Sequence, residues 1–353
     1  MNKEKTSENL IHNNMSSAEQ VRPPDCLNTI RFLAACQVVL GHASFYLKTD
    51  YPHILHMVQA LFYGVPIFFV LSGFLIWQSV GRTHNYTAYL KKRFWRIYPE
   101  MWLAVVLEVI VMCILYQKNI PTWDLVKFVF TQSTFMQFWT PASMREYGCG
   151  TPNALWTICI LIQFYIVVWP AYKLLHNKKI GTWIITLIVS FAAAAVIEYS
   201  QNFLPEILYK LLCNTFVYYF WMFIVGILLA EYKDKILPFL KKYWLIFIAV
   251  AAVYSAADIS IPTPNYSIMA VVGLPLGWIG FAYRFPQFNI KKDISYGIYI
   301  YHCIVINAML ELGYTGKMWC LIITFLLTFI LAYFSGKLAG SLKNYVNRST
   351  KNE

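Results

Sequence analysis

Charge is what this sequence has least of. Only 13% of its 353 residues are Asp, Glu, Lys or Arg, against about 25% in an ordinary soluble domain, while 58% are hydrophobic. So little charge cannot cover a water-facing surface of that size, which excludes a soluble globular protein and leaves a polytopic membrane protein. Paired cysteines are also missing. None of the eight forms a C-x-x-C, and only Cys149 falls in a predicted outer loop, so neither a disulfide framework nor a thiolate zinc site is indicated. His53 and His56 have a metal-compatible spacing in the first outer loop, but no nearby carboxylate completes a site; they read as interfacial histidines and no metal is expected. The first 26 residues contain no apolar h-region and read as a polar cytoplasmic tail, not as a secretory signal.

What the chain does have is long apolar runs. Ten stretches, near 27–47, 57–80, 99–117, 153–172, 181–199, 209–230, 242–258, 266–283, 294–312 and 318–340, are long enough to cross a bilayer. The expected fold is therefore all-α, with about ten transmembrane helices. It divides into a tail (1–26), a membrane domain (27–340) and a C-terminal tail (341–353). An even number of spans puts both termini on one side, and the 29 Lys and Arg say which. Six (Lys48, Lys118, Lys127, Arg145, Lys210 and Lys317) fall near the outer side if the termini are cytoplasmic, Arg31 lies within span one, and the other 22 fall in cytoplasmic segments and helix ends. This positive-inside asymmetry predicts a multi-pass protein of the cell membrane with both termini cytoplasmic. It also accounts for the net charge of +12 without nucleic acid as a partner.

Two residues interrupt the first span, LNTIRFLAACQVVLGHASFY: Arg31 and His42. Eleven positions make about three helical turns, so both project from one face, roughly 16 Å apart along the axis. Taken alone, Arg31 reads equally as an anchor snorkelling to the cytoplasmic interface, and His42 as a neutral group hydrogen-bonded to a neighbouring helix. Their shared face favours function, because ionisable groups at membrane depth are costly. In span two, Ser72-Gly73 admits close approach of a neighbouring backbone and reads as helix packing that holds span one in place. After it, Arg93 and Arg96 stand three apart, on one face if span three begins there, and suit phosphate oxygens; anionic lipid headgroups are the competing partner for Lys91 and Lys92. The long outer segment 117–152 carries Trp123, Phe128, Phe130, Phe135, Phe138 and Trp139, and part of it is expected on or within the outer leaflet, as an interfacial belt or a sugar-stacking surface. In span nine, Ser295, Tyr299 and His302 form a polar stripe that reads as cavity-lining.

LNTIRFLAACQVVLGHA, with ten residues between Arg31 and His42, resembles the first-helix signature of the acyltransferase-3 family of integral membrane acyltransferases. The resemblance continues, in family order, through VPIFFVLSGFLI (65–76), YLKKRFWRIYPEMW (89–102), LWTICILIQFYIVVWP (155–170), FWMFIVGILLAE (220–231) and ISYGIYIYHCIVI (294–306). It implies an O-acyltransferase with no tightly bound cofactor, using acyl-CoA, most commonly acetyl-CoA, as cosubstrate. Arg93 and Arg96 would bind the acyl-CoA. The acceptor would be an extracytoplasmic glycan or lipid-linked molecule, reached within membrane lipid. The chain departs from the pattern twice. Leu161 stands where the family commonly has a glutamate and Asn28 where it has an aspartate, so two acids that would balance Arg31 or polarise His42 are missing, and Glu108 and Glu198 are the candidate substitutes. No esterase-like domain of the kind some relatives carry is expected after Lys343.

The mechanism these parts imply is acyl transfer to an alcohol. His42 is the general base, and Arg31 holds a phosphate or offsets charge in the transition state; one water-accessible passage links the two. A transporter or flippase using the same Arg/His path is the alternative, although no repeat relates 27–172 to 181–340. A scaffold inactivated by loss of the span-four glutamate is a third reading.

Overall fold

The computed structural model describes residues 25–49, 52, 55, 59, 61–83, 85–150, 154–256, 264 and 266–349, so His53 and His56 lie outside the described residues. Among these there are twelve α-helices and no strand: α1 (Leu27–Leu47), α2 (Gly64–Gly81), α3 (Tyr86–Leu115), α4 (Thr122–Ser133), α5 (Trp156–Leu175), α6 (Ile180–Tyr199), α7 (Glu206–Cys213), α8 (Phe216–Glu231), α9 (Lys233–Ala256), α10 (Leu274–Arg284), α11 (Ser295–Glu311) and α12 (Met318–Ser349). Each of the ten expected spans overlaps a helix among the described residues, where eight helices are long and apolar enough to cross a membrane. The two that fall short are informative. α10 is preceded by a π-helical turn, Met269–Gly273, which widens the helix where it meets α9. α11 is a 17-residue helix carrying Ser295, His302 and Asn307, and all three are completely buried together with Ile298, Ile300 and Ile306. A helix with polar groups this deep is stable only when other helices enclose it and satisfy them, and α11 is the core of the bundle.

Helix ends differ from the sequence expectation where local chemistry overrides hydropathy. α3 starts at Tyr86, well before the apolar run near 99, because the Asn85 side chain caps it by accepting from the Ala88 amide at 3.1 Å. Arg93 and Arg96 are therefore inside a formed helix. α12 continues to Ser349, past the expected boundary at 340.

Lipid offers no hydrophobic drive between helices, so close backbone contact matters more. α2 and α8 supply it. A Cβ on Gly226 would lie 1.9 Å from the Val70 carbonyl oxygen, and one on Gly73 would lie 2.2 Å from that of Phe223. Gly73 thus packs α2 against α8, whereas the sequence reading had it steadying span one; it is Gly64 that meets α1, at the Ala34 carbonyl. Glu231, at the end of α8, ties this layer together by accepting from Trp77 Nε1 (2.7 Å), the Asn177 amide (2.6 Å) and His176 Nδ1 (3.0 Å). The long segment after α3 folds back on it. α4 descends alongside α3 until the Ser133 carbonyl accepts from Trp102 Nε1 at 3.0 Å, about 20 Å from the end of α3 at 1.5 Å per residue. Phe128 is buried against Met112, Met144 and Tyr147, while Trp123, Phe130 and Phe135 face outward. The outward aromatics form an exposed apolar surface on a helical hairpin that folds back along α3.

Candidate functional site

α1 and α11 run side by side in the same direction, and polar pairs join them at two levels. At the first level, Arg31 donates from Nη1 to Asp293 Oδ2 at 2.5 Å. Arg96 approaches the same oxygen at 3.5 Å. The other carboxylate oxygen accepts from the Ser295 amide (3.0 Å) and hydroxyl (2.5 Å), which fixes Asp293 to the first turn of α11. Burial opposes charge on Asp293, but Arg31, the two Ser295 donors and Arg96 outweigh it and hold the carboxyl below the usual aspartate range. At the second level, His42 Nδ1 lies 2.8 Å from His302 Nε2. Between the levels the seam is packed with Ala35, Val39 and Ile298, all fully buried. The face that the eleven-residue spacing identified is thus the face α1 turns to α11.

Beside this seam is a cavity of about 380 Å³ enclosed by α1, α2, α3, α5 and α11. Its mouth is lined by Arg31, Arg82, Arg93, Arg96, Ser79 and Asp293, and its inner part by Phe68, Phe69, Ile158 and Leu161, with Thr157 and Tyr299. The Tyr299 and Thr157 hydroxyls are hydrogen-bonded at 2.8 Å. The Tyr299 ring also meets Phe68 and His302, at centroid distances of 5.6 and 6.0 Å. Arg93 is held by a hydrogen bond to Ser79 Oγ and by the Tyr89 and Tyr165 rings, 5.4 and 5.5 Å from its guanidinium carbon. Its Nε is buried and donates to nothing among the described residues, an unsatisfied cationic donor beside the cavity.

Arg31, Arg93 and Arg96 therefore share one cavity, while His42 does not line it. One open passage from Arg31 to His42 was expected; instead the cavity is lined by Arg31 and Tyr299 but not by His42, and buried apolar side chains fill the seam between the two polar levels. Of the polar stripe on α11, only Tyr299 lines the cavity. Ser295 is consumed in holding Asp293, and His302 is sealed against His42. Neither expected acidic substitute reaches Arg31 or His42: Glu108 accepts from Asn307 Nδ2 at 2.8 Å, and Glu198 accepts from the Tyr218 hydroxyl. Gln163, which survives from the span-four motif, is structural, bonding the Asn214 carbonyl and Phe216 amide at the start of α8 (both 2.9 Å).

Sequence reasoning missed Asp293, which sits in the basic loop KKDISYG and reads there as a solvated charge. The usable signal was its place two residues before Ser295, where a side-chain carboxylate caps a helix start. Arg82 and Ser79 were missed because nothing in one dimension distinguishes them from their neighbours.

Comparison with known proteins gives the same direction. A family model described as "Acyltransferase domain" matches residues 25–340. Nodulation protein 10 of Rhizobium leguminosarum bv. viciae is 27% identical over 336 residues, covering 87% of this chain and 89% of that protein. The O-acetyl transferase of Shigella phage Sf6 is 23% identical over 92% of this chain and 97% of its own length. Peptidoglycan O-acetyltransferase OatA of Listeria monocytogenes is 24% identical over 88% of this chain, which spans about half (54%) of that relative. No solved structure matches. Matched by that family model across nearly its whole membrane region, the chain belongs to the acyltransferase-3 family of multi-pass membrane acyltransferases.

Proposed function

We propose that the protein transfers an acyl group, acetyl by preference, from cytoplasmic acyl-CoA to a hydroxyl of an extracytoplasmic glycan or lipid-linked acceptor. The observation that carries this reading is the cavity: four arginines and one aspartate line its mouth, and its inner part is mostly apolar, with the Thr157 and Tyr299 hydroxyls bonded to each other. That mouth suits a polyanionic nucleotide, and a narrow apolar interior suits a pantetheine arm and a short acyl chain. Arg93, which lines the cavity, and half-exposed Arg96 are the side chains placed to take phosphate oxygens. Relatives named for O-acetyl transfer, one of them on peptidoglycan, support acetyl and a glycan acceptor. The excess of Lys and Arg on the side where the cavity opens supports a cytoplasmic donor.

On this reading the packed wall between the cavity and His42, on the Tyr299 side, opens when donor and acceptor bind, and His42 then takes the proton of the acceptor hydroxyl as its oxygen attacks the thioester carbon. The carbon–sulfur bond then breaks, and the departing thiolate takes up that proton from His42. Arg31, about 16 Å along α1 from His42 and paired with Asp293, is too distant to steady the reacting oxygen, so its role is to hold the donor's phosphates. Leu161 adds apolar wall to the cavity, and Asp293 supplies the counter-charge to Arg31. The test is His42→Ala: the variant accumulates in membranes, and ester-linked acetate released by mild base from envelope glycans falls to the level of cells lacking the protein. Wild-type ester acetate in that variant would remove His42 as the base.

A further inference from the structure

We propose that His302 is a positioning residue that sets the tautomer of His42 and steadies its charge during proton transfer. The proposal rests on the reading of His42 as the base. His302 is completely buried in α11, and its Nε2 lies 2.8 Å from His42 Nδ1. Two imidazole nitrogens at that distance share one proton, so one ring donates and the other accepts. If His302 donated, its Nδ1 would carry a lone pair. That atom is buried with no hydrogen-bond partner among the described residues, and a side chain in a helix leans back over the preceding turn, here the carbonyl side of Ile298 and Tyr299, where a lone pair is repelled and an N–H is tolerated. The protons therefore run in one direction: His302 keeps its hydrogen on Nδ1, His42 donates from Nδ1 to His302 Nε2, and the lone pair of His42 is left on Nε2, the nitrogen turned away from His302. This is the form a general base needs. When His42 Nε2 takes the hydroxyl proton, the imidazolium already has its other N–H bonded and need not turn.

The same three groups raise the question of a metal, since the donor atoms of His42, His302 and Cys303 lie within 4.8 Å of one another. Two nitrogens bound to one tetrahedral zinc at about 2.0–2.1 Å each stand roughly 3.3 Å apart. The 2.8 Å observed fits a shared proton and is too short for two ligands of one ion. No ion pair reaches either ring among the described residues, so the neutral acceptor nitrogen of His302 does here what a carboxylate does in other base-orienting arrangements.

The experiment measures kcat and KM for labelled acetyl-CoA in permeabilised membranes of the cells that make the protein, with their own acceptor in excess. Four forms are compared: wild type, His42→Ala, His302→Phe, which fills the ring volume without an acceptor, and His302→Gln, whose amide oxygen replaces Nε2. We expect His302→Phe to lose ~10–100-fold in kcat, the value of one hydrogen bond to a charged group, with KM within about twofold of wild type. His302→Gln should recover most of that loss. His302→Phe at wild-type kcat with His42→Ala inactive would overturn the proposal and leave His42 as base. His302→Gln as slow as a folded His302→Phe would also overturn it, as would stoichiometric metal lost on His302→Gln. Should His302→Phe fail to accumulate, His302→Gln decides alone: a folded protein below about a tenth of wild-type kcat refutes the role, and one above it supports it. Full activity in His42→Ala would instead refute the underlying reading, and this proposal with it.

Discussion

Asp293→Asn isolates the ion pair at the cavity mouth. The asparagine keeps an oxygen for the Ser295 amide and hydroxyl, so the start of α11 is preserved, and it removes the charge facing Arg31 and Arg96. Arg31 and Asp293 have side chains only 16% and 19% exposed, so water does not replace the lost partner fully. Breaking a fully buried pair costs about 3–5 kcal/mol, whereas one hydrogen bond to a charged group is worth about 1.5–3 kcal/mol. Because this pair borders a cavity, the lower range applies, and we expect about 2 kcal/mol of destabilisation at pH 7. The sign with pH follows from the lowered folded-state pKa of Asp293. Its contribution is present in full above the ordinary aspartate value and is lost as pH falls through the lower folded value. The wild-type advantage over Asp293→Asn should therefore be flat from about pH 5 to 8 and shrink only below about pH 4. Equilibrium unfolding of the two proteins in detergent micelles, followed by tryptophan fluorescence at several pH values, measures it. A loss under about 0.5 kcal/mol at pH 7, typical of exposed pairs, or an advantage that grows between pH 5 and 8, would refute the assignment of Asp293 as the counter-ion of Arg31.

Two further outcomes follow from the same geometry. Arg93→Ala should raise the KM for acetyl-CoA by ~10–100-fold, the worth of one charge-assisted contact, with the protein still folded; a KM within twofold of wild type in the same membrane assay would free Arg93 from donor binding. Gly226→Ala puts a methyl 1.9 Å from the Val70 carbonyl and forces α8 off α2, so it should sharply lower the amount of detergent-extractable monodisperse protein, while Gly181→Ala, which meets nothing within 4 Å, should leave it unchanged. Equal yields for the two variants would contradict the tight α2–α8 contact.

The sequence alone determined that this is a helical membrane protein, where its apolar helices lie, and that Arg31 and His42 share one helix face. Each of these follows from properties local in the chain: apolar run length, the 3.6-residue period and the cost of charge in lipid. It also carried the family, because the motif residues stand in fixed order. The partners of those residues were settled only by packing. Asp293 meets Arg31 across 262 positions and His302 meets His42 across 260, separations that no window on the sequence relates. Burial then sorted residues the sequence had grouped. Ser295, Tyr299 and His302 are one stripe by spacing, yet the first holds Asp293, the second lines the cavity bonded to Thr157 and the third bonds His42, because three different neighbours face successive turns of α11. Helical periodicity fixes which side chains point the same way; what they meet depends on how the surrounding helices pack.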